Sequence, residues 1–200
     1  MLPLNDIPDE QAQMLQKIGE VAFRWNDLEA ITRLLLYVLL PRGDKTDCVI
    51  CQLGNVALTE SISAVADFVD DPIFVGHIKH YIKAFDRARI YRNHFIHGPR
   101  IMGYLPDGNL VALTQDTIAK GGSLRLKSAD VKTQQIEDFA KYLFSLREYV
   151  NAIHSQFVPK EILEIPDLSS LQRPPLLAQL SLHLLSLAEL KRQPQASRTL

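Results

Sequence analysis

The sequence predicts an all-α fold: a helical bundle of about four helices with a small β-hairpin insert between helices 3 and 4. Three observations carry that prediction. Long stretches repeat apolar residues three and four apart. Proline and glycine punctuate those stretches at a few places only. One internal segment changes texture to short apolar alternations around turn residues.

The first helix runs from Asp9 to Leu40. Leu15, Ile18, Ala22, Trp25, Leu28, Leu35, Leu36 and Leu39 make one apolar face, and "PRGD" stops it. Asp47 is a candidate N-cap for a second helix reaching about Phe68. That segment is apolar nearly all round, which predicts burial. "DDP" then punctuates, with Pro72 suited to the first turn of a third helix and Gly98 to its end.

The segment of about residues 100–127 is the insert. "PDGN" is a turn signal between strands Ile101–Leu105 and Leu110–Thr114, and Leu124–Leu126 is a candidate third strand. Ser128 is a candidate N-cap for the fourth helix, whose apolar residues run from Ile136 to Phe157 before Pro159. Residues 1–158 form the expected helical domain. Residues 159–200 form a Pro-broken tail around a Leu-rich helix candidate, "LLAQLSLHLLSLAEL".

Composition narrows the function classes. The net charge is -1, the apolar fraction 46% and the charged fraction 22%, as in ordinary globular proteins. The longest apolar run, Leu34–Leu40, is too short to span a bilayer, so no membrane role is expected. "MLPLNDIPDE" does not read as a secretory signal, and two cysteines are no disulfide framework. The expected compartment is the cytoplasm.

The third helix ends in "RIYRNHFIHGPR". Advancing roughly 100° per residue from Phe74 places Ile78, Tyr81, Phe85, Ala88 and Ile96 on one apolar stripe, with Arg92 on its midline. A buried unpaired charge costs several kcal/mol, so Arg92 needs a partner or a wet, functional cleft. Asn93 and His97 lie at one edge of the stripe. Glu29, inside the apolar arc of the first helix, is the candidate partner or orienting group for Arg92. From His77 to Arg100 six basic residues face one acid, Asp86, which would attract a phosphate-bearing ligand. Arg89, Arg87, Lys83, His94 and Arg100 are therefore the candidate substrate-binding residues, with His94 on the outer side of the wheel.

"RNHFIH", at the end of the third helix of a small bundle and followed by an insert and a long final helix, resembles the HEPN superfamily signature over roughly residues 10–157. The resemblance implies a metal-independent endoribonuclease with Arg92 and His97 as the catalytic pair and Asn93 as their support. It implies a homodimer whose two motifs share one cleft, RNA as substrate, no cofactor, and a toxin or phage-defence role with a possible antitoxin or operon partner. Where some relatives carry a modifiable tyrosine two residues after the histidine, this chain has Pro99. The alternative is a non-catalytic helical binding or scaffold module in which Arg92 forms a structural ion pair with Glu29.

Two further patterns have plainer readings. "CVIC" (Cys48, Cys51) has half-site or redox spacing, and buried core thiols are the expectation. His77 and His80 lack a third clear metal ligand and are expected on a solvated basic face.

Overall fold

The computed structural model describes residues 8–41, 43–97, 99–104, 110–120, 123–157, 166–177 and 183–185. Its bundle consists of α1 (Asp9–Leu39), α2 (Asp44–Gln52), α3 (Asn55–Ala66), α4 (Pro72–His97) and α5 (Thr133–His154), with a 3-10 turn at Ser155–Phe157. The most extensive helix packing is α1 along α5, while α4 contacts α1, α3 and α5. Trp25, Leu28, Leu35, Leu58, Ile62, Ile78, Tyr81, Phe85, Leu143 and Val150 fill the shared core.

Local chemistry fixes the helix ends. Asp71 Oδ1 accepts the N–H of Ile73 at 2.8 Å and of Phe74 at 3.2 Å, capping α4 just before the Pro72 turn. Gln135 Oε1 accepts the Lys132 N–H at 2.8 Å, half of a capping box at the start of α5. Thr32 Oγ1 bonds the Leu28 carbonyl and the hydroxyl of fully buried Tyr81, so neither hydroxyl is stranded in the core.

The second expected helix is two. The chain breaks at Leu53–Gly54, and α3 restarts with the Leu58 N–H on the Gly54 carbonyl at 2.8 Å. Its first half is not buried: in α2 only Ile50 is, and both cysteines are exposed. Asp44, Lys45, Thr46, Asp47 and Gln52 make most of α2 polar, so a nine-residue helix against one edge of α1 buries a single apolar side chain.

The insert is larger than a hairpin. Strands β1 (Pro99–Tyr104), β2 (Leu110–Lys120) and β3 (Ser123–Lys132) form an antiparallel meander between α4 and α5. Ser128 therefore pairs with Gln115 inside β3 rather than capping a helix. A fourth strand, β4 (His183–Leu185), adds antiparallel to β3 and completes the order β1-β2-β3-β4. That overturns the Leu-rich helix at those three positions. Leu at alternate positions serves a strand as well as a helix when an open sheet edge is near. Gly98, the "PDGN" turn and Pro159 lie outside the described residues.

Residues 166–177 make a turn at Leu168–Ser170 and pack against α4 and α5. Gln156 Nε2 donates to the Pro166 carbonyl at 2.9 Å, His80 Nε2 to the Pro174 carbonyl at 2.8 Å, and Arg87 to the Leu177 carbonyl. Leu168 is buried in the core.

Candidate functional site

The helical stripe of α4 does bring Arg92 onto the buried side of the helix, where it is half-buried. Its guanidinium lies over the indole of fully buried Trp25, 5.9 Å from the ring centroid, a cation–π distance. Trp25 in turn packs on Phe85 at 4.8 Å between ring centroids. One Arg92 terminal nitrogen donates to Asn93 Oδ1 at 3.0 Å and meets His97 Nε2 at 2.6 Å. Arg92 Nε is buried without a hydrogen-bond partner among the described residues. Asn93 and His97 are exposed.

A guanidinium only donates, so as a hydrogen bond this contact has Nε2 presenting its lone pair to Arg92. Arg92, Asn93 and His97 thus form one connected polar group at the C-terminal end of α4, standing on an aromatic floor.

Glu29 is placed differently from expectation. Its carboxylate accepts Arg33 at 2.7 Å and the Trp25 indole N–H at 3.2 Å, and the Glu29–Arg92 ion pair does not form. The physical reason is the indole. Trp25 occupies the space between α1 and α4 and offers its face to the cation and its N–H to the acid. Trp25 is the member of the site that sequence reading left as plain core, although its i,i+4 relation to Glu29 was a usable signal.

The candidate substrate-binding residues separate. Lys83 is exposed and Arg89 is half-buried beside Asp86, with Nε at 3.6 Å. Arg87 is committed to the Leu177 carbonyl. His94 is 4% exposed, which removes it from the outer surface where the wheel set it. His77 and His80 also depart from the solvated face. His77 is buried with Nδ1 at 2.7 Å from the Tyr149 hydroxyl, and His80 is half-buried under Pro174. For His77 and His80 the reason is that α5 and residues 166–177 cover a flank of α4 that a single-stripe wheel leaves to water. Arg100 falls at a register shift in β1, and its side chain lies outside the described residues.

Electrostatics follow burial. Burial first, then the Arg173 charge, holds His77 below the ordinary imidazole range, and burial alone does the same for His154. Burial pushes the Tyr149 phenol up to about 12, against the pull of Arg173. Among the described residues no group of three or more His, Cys, Asp or Glu is arranged to hold a metal ion. No described helix is long and apolar enough to cross a membrane.

No protein family, curated protein or solved structure matches this chain.

Proposed function

We propose that the chain is a metal-independent endoribonuclease of the HEPN type, acting as a homodimer in a toxin or phage-defence setting. The observation that carries this reading is the Arg92–His97 contact at 2.6 Å, with Asn93 at 3.0 Å on the same nitrogen. A permanent cation that can bind phosphate oxygens and an imidazole that can move a proton are what RNA self-cleavage needs.

The chemistry runs through the 2′-OH of the substrate. Its proton passes to a histidine as the 2′-oxygen attacks the neighbouring phosphorus. The bond from phosphorus to the 5′-oxygen then breaks, and that oxygen takes a proton from an acid. The products are a 2′,3′-cyclic phosphate and a 5′-hydroxyl. Arg92 supplies charge and donors to the crowded phosphorane. A scissile phosphate that draws the guanidinium away from His97 also frees Nε2 to serve as the base. Pairing two copies would supply a second histidine as the acid.

The test is cleavage of mixed RNA in EDTA by the wild type, Arg92→Ala and His97→Ala. Cleavage confined to the wild type, with cyclic-phosphate ends, supports the reading. No cleavage, or equal cleavage in all three, sinks it.

The stacking of Arg92 over Trp25 favours a second reading, a non-catalytic binding module in which Arg92 is structural. It takes the place of the Glu29 pairing. On that reading Arg92→Ala lowers the melting temperature sharply and no protein cleaves RNA.

A further inference from the structure

The exposed "CVIC" pair stands apart from the Arg92 site and has its own chemistry. Cys48 and Cys51 are both free and both exposed, three residues apart on α2. That spacing puts them on one helix face with Cα atoms about 5 Å apart, inside the span of a disulfide. Cys51 has a polar neighbour, the Tyr37 hydroxyl at 3.3 Å from Sγ. That hydroxyl also donates to the Asp47 carbonyl at 3.4 Å, so it ties the Cys51 side of α2 to α1. Both sulfurs are exposed and so open to an oxidant from solvent.

We propose that Cys48 and Cys51 are a reversible redox dithiol, oxidised by a peroxide to a disulfide within α2. The Cys51 thiolate attacks hydrogen peroxide, the O–O bond breaks to leave a sulfenic acid, and the expelled hydroxide takes up the proton the thiol had released and leaves as water. Cys48 then attacks that sulfur, the S–O bond breaks, and a second water leaves. Two thiols and one peroxide give one disulfide and two waters. A thiol reductant reverses the step by exchange.

The geometry makes this disulfide labile and gives it a reach. Cβ atoms at this helical spacing sit about 5–6 Å apart, whereas a disulfide holds them at about 3.5–4.5 Å, so closure must tighten the last turn of α2. That turn is held by Arg33, whose Nη1 donates to the carbonyls of Ile50 and Leu53, both at 2.9 Å. The other Arg33 nitrogen holds Glu29, which holds the Trp25 indole N–H beneath Arg92. Shifting the Ile50 and Leu53 carbonyls therefore moves the acceptors on which this chain of bonds ends. Strained, exposed disulfides are the easily reduced, regulatory kind.

The experiment oxidises the purified full chain with hydrogen peroxide, alkylates remaining thiols, and reads intact and peptide masses. Expected is loss of two hydrogens within the single peptide that contains both cysteines, reversed by dithiothreitol. Trp25 is the only tryptophan, so its emission reports the far end of the chain of bonds. It is expected to shift on oxidation and return on reduction in the wild type, and to stay unchanged in Cys48→Ser. Oxidation to sulfinic acid, or disulfides only between copies, overturns the dithiol. A disulfide that forms without any change in Trp25 emission overturns the coupling to α1.

Discussion

The two flanks of α4 carry the same residue types and have opposite fates. On one flank His77, His80 and Arg87 are buried or tied to α5 and to residues 166–177. On the other, Asn93 and His97 stand exposed and bond only through Arg92 on the midline. Basic and imidazole groups therefore do two jobs on one helix. Where α5 and residues 166–177 cover them their hydrogen bonds are spent inside the fold, and on the other flank Asn93 and His97 remain exposed. A count of positive charge along the helix does not distinguish these, but their partners do.

The comparison breaks most sharply at the open flank. On the proposed function, His97→Ala lowers RNA cleavage by roughly 10²–10⁴-fold, the usual worth of a general acid or base. Because His97 is exposed, its melting temperature is expected to stay near that of the wild type. A rate assay beside a thermal melt checks both.

At the covered flank the effect moves to stability. Tyr149→Phe leaves the buried Nδ1 of His77 without its 2.7 Å partner. The expected cost is about 1–3 kcal/mol in denaturant unfolding, with cleavage unchanged once the protein is folded. If this variant lost activity while remaining stable, the division between the flanks would fail.

Acid sharpens the same contrast. The folded pKa values of His77 and His154 lie below the unfolded value of about 6.5. As pH falls below that value the unfolded chain takes up protons that the folded chain refuses. Stability is therefore full above the unfolded pKa and is lost as pH falls from there towards the folded values. Urea midpoints measured from pH 7.5 to 5 are expected to decline, and His77→Leu is expected to flatten that decline. A midpoint slope in His77→Leu as steep as in the wild type contradicts it.

The smallest effect belongs to the tail contacts. His80→Ala removes one hydrogen bond to the Pro174 carbonyl, worth about 0.5–1.5 kcal/mol. Hydrogen exchange at residues 168–177 is expected to quicken locally while the α1 core stays protected.

Much of this architecture was legible in the chain. The boundaries of α1 and α4 follow from Pro8, Pro41 and the Asp71–Pro72 cap, because capping and proline chemistry are local. The placement of Arg92 was legible too, since one helix and its stripe decide it. What failed was everything set by a distant element. His77 looked solvated because nothing in its neighbourhood announces α5 lying alongside. Cys48 and Cys51 looked buried because the chain from Asp47 to Phe68 reads as one helix, whereas they lie on the short, mostly polar α2 that ends at Gln52. The length of β2 and β3 escaped because their pairing extends to Lys120 and Ser123 through residues of mixed polarity. Residues 183–185 joined β3 because an edge was available, which is a property of the sheet and not of the Leu-rich segment.

Three of the contacts that hold residues 166–177 share one trait with an evolutionary consequence. Gln156, His80 and Arg87 each reach a backbone carbonyl, at Pro166, Pro174 and Leu177, and none reads a tail side chain. Proline lacks an N–H but keeps its carbonyl, so a proline-rich segment loses nothing as an acceptor. Among diverged copies of this protein Pro166 and Pro174 should drift freely in sequence while the donors that reach their carbonyls stay fixed. Leu168, Leu171 and Leu177, packed in or against the core, and Arg173, bonded to Tyr149, are tail positions expected to resist that drift.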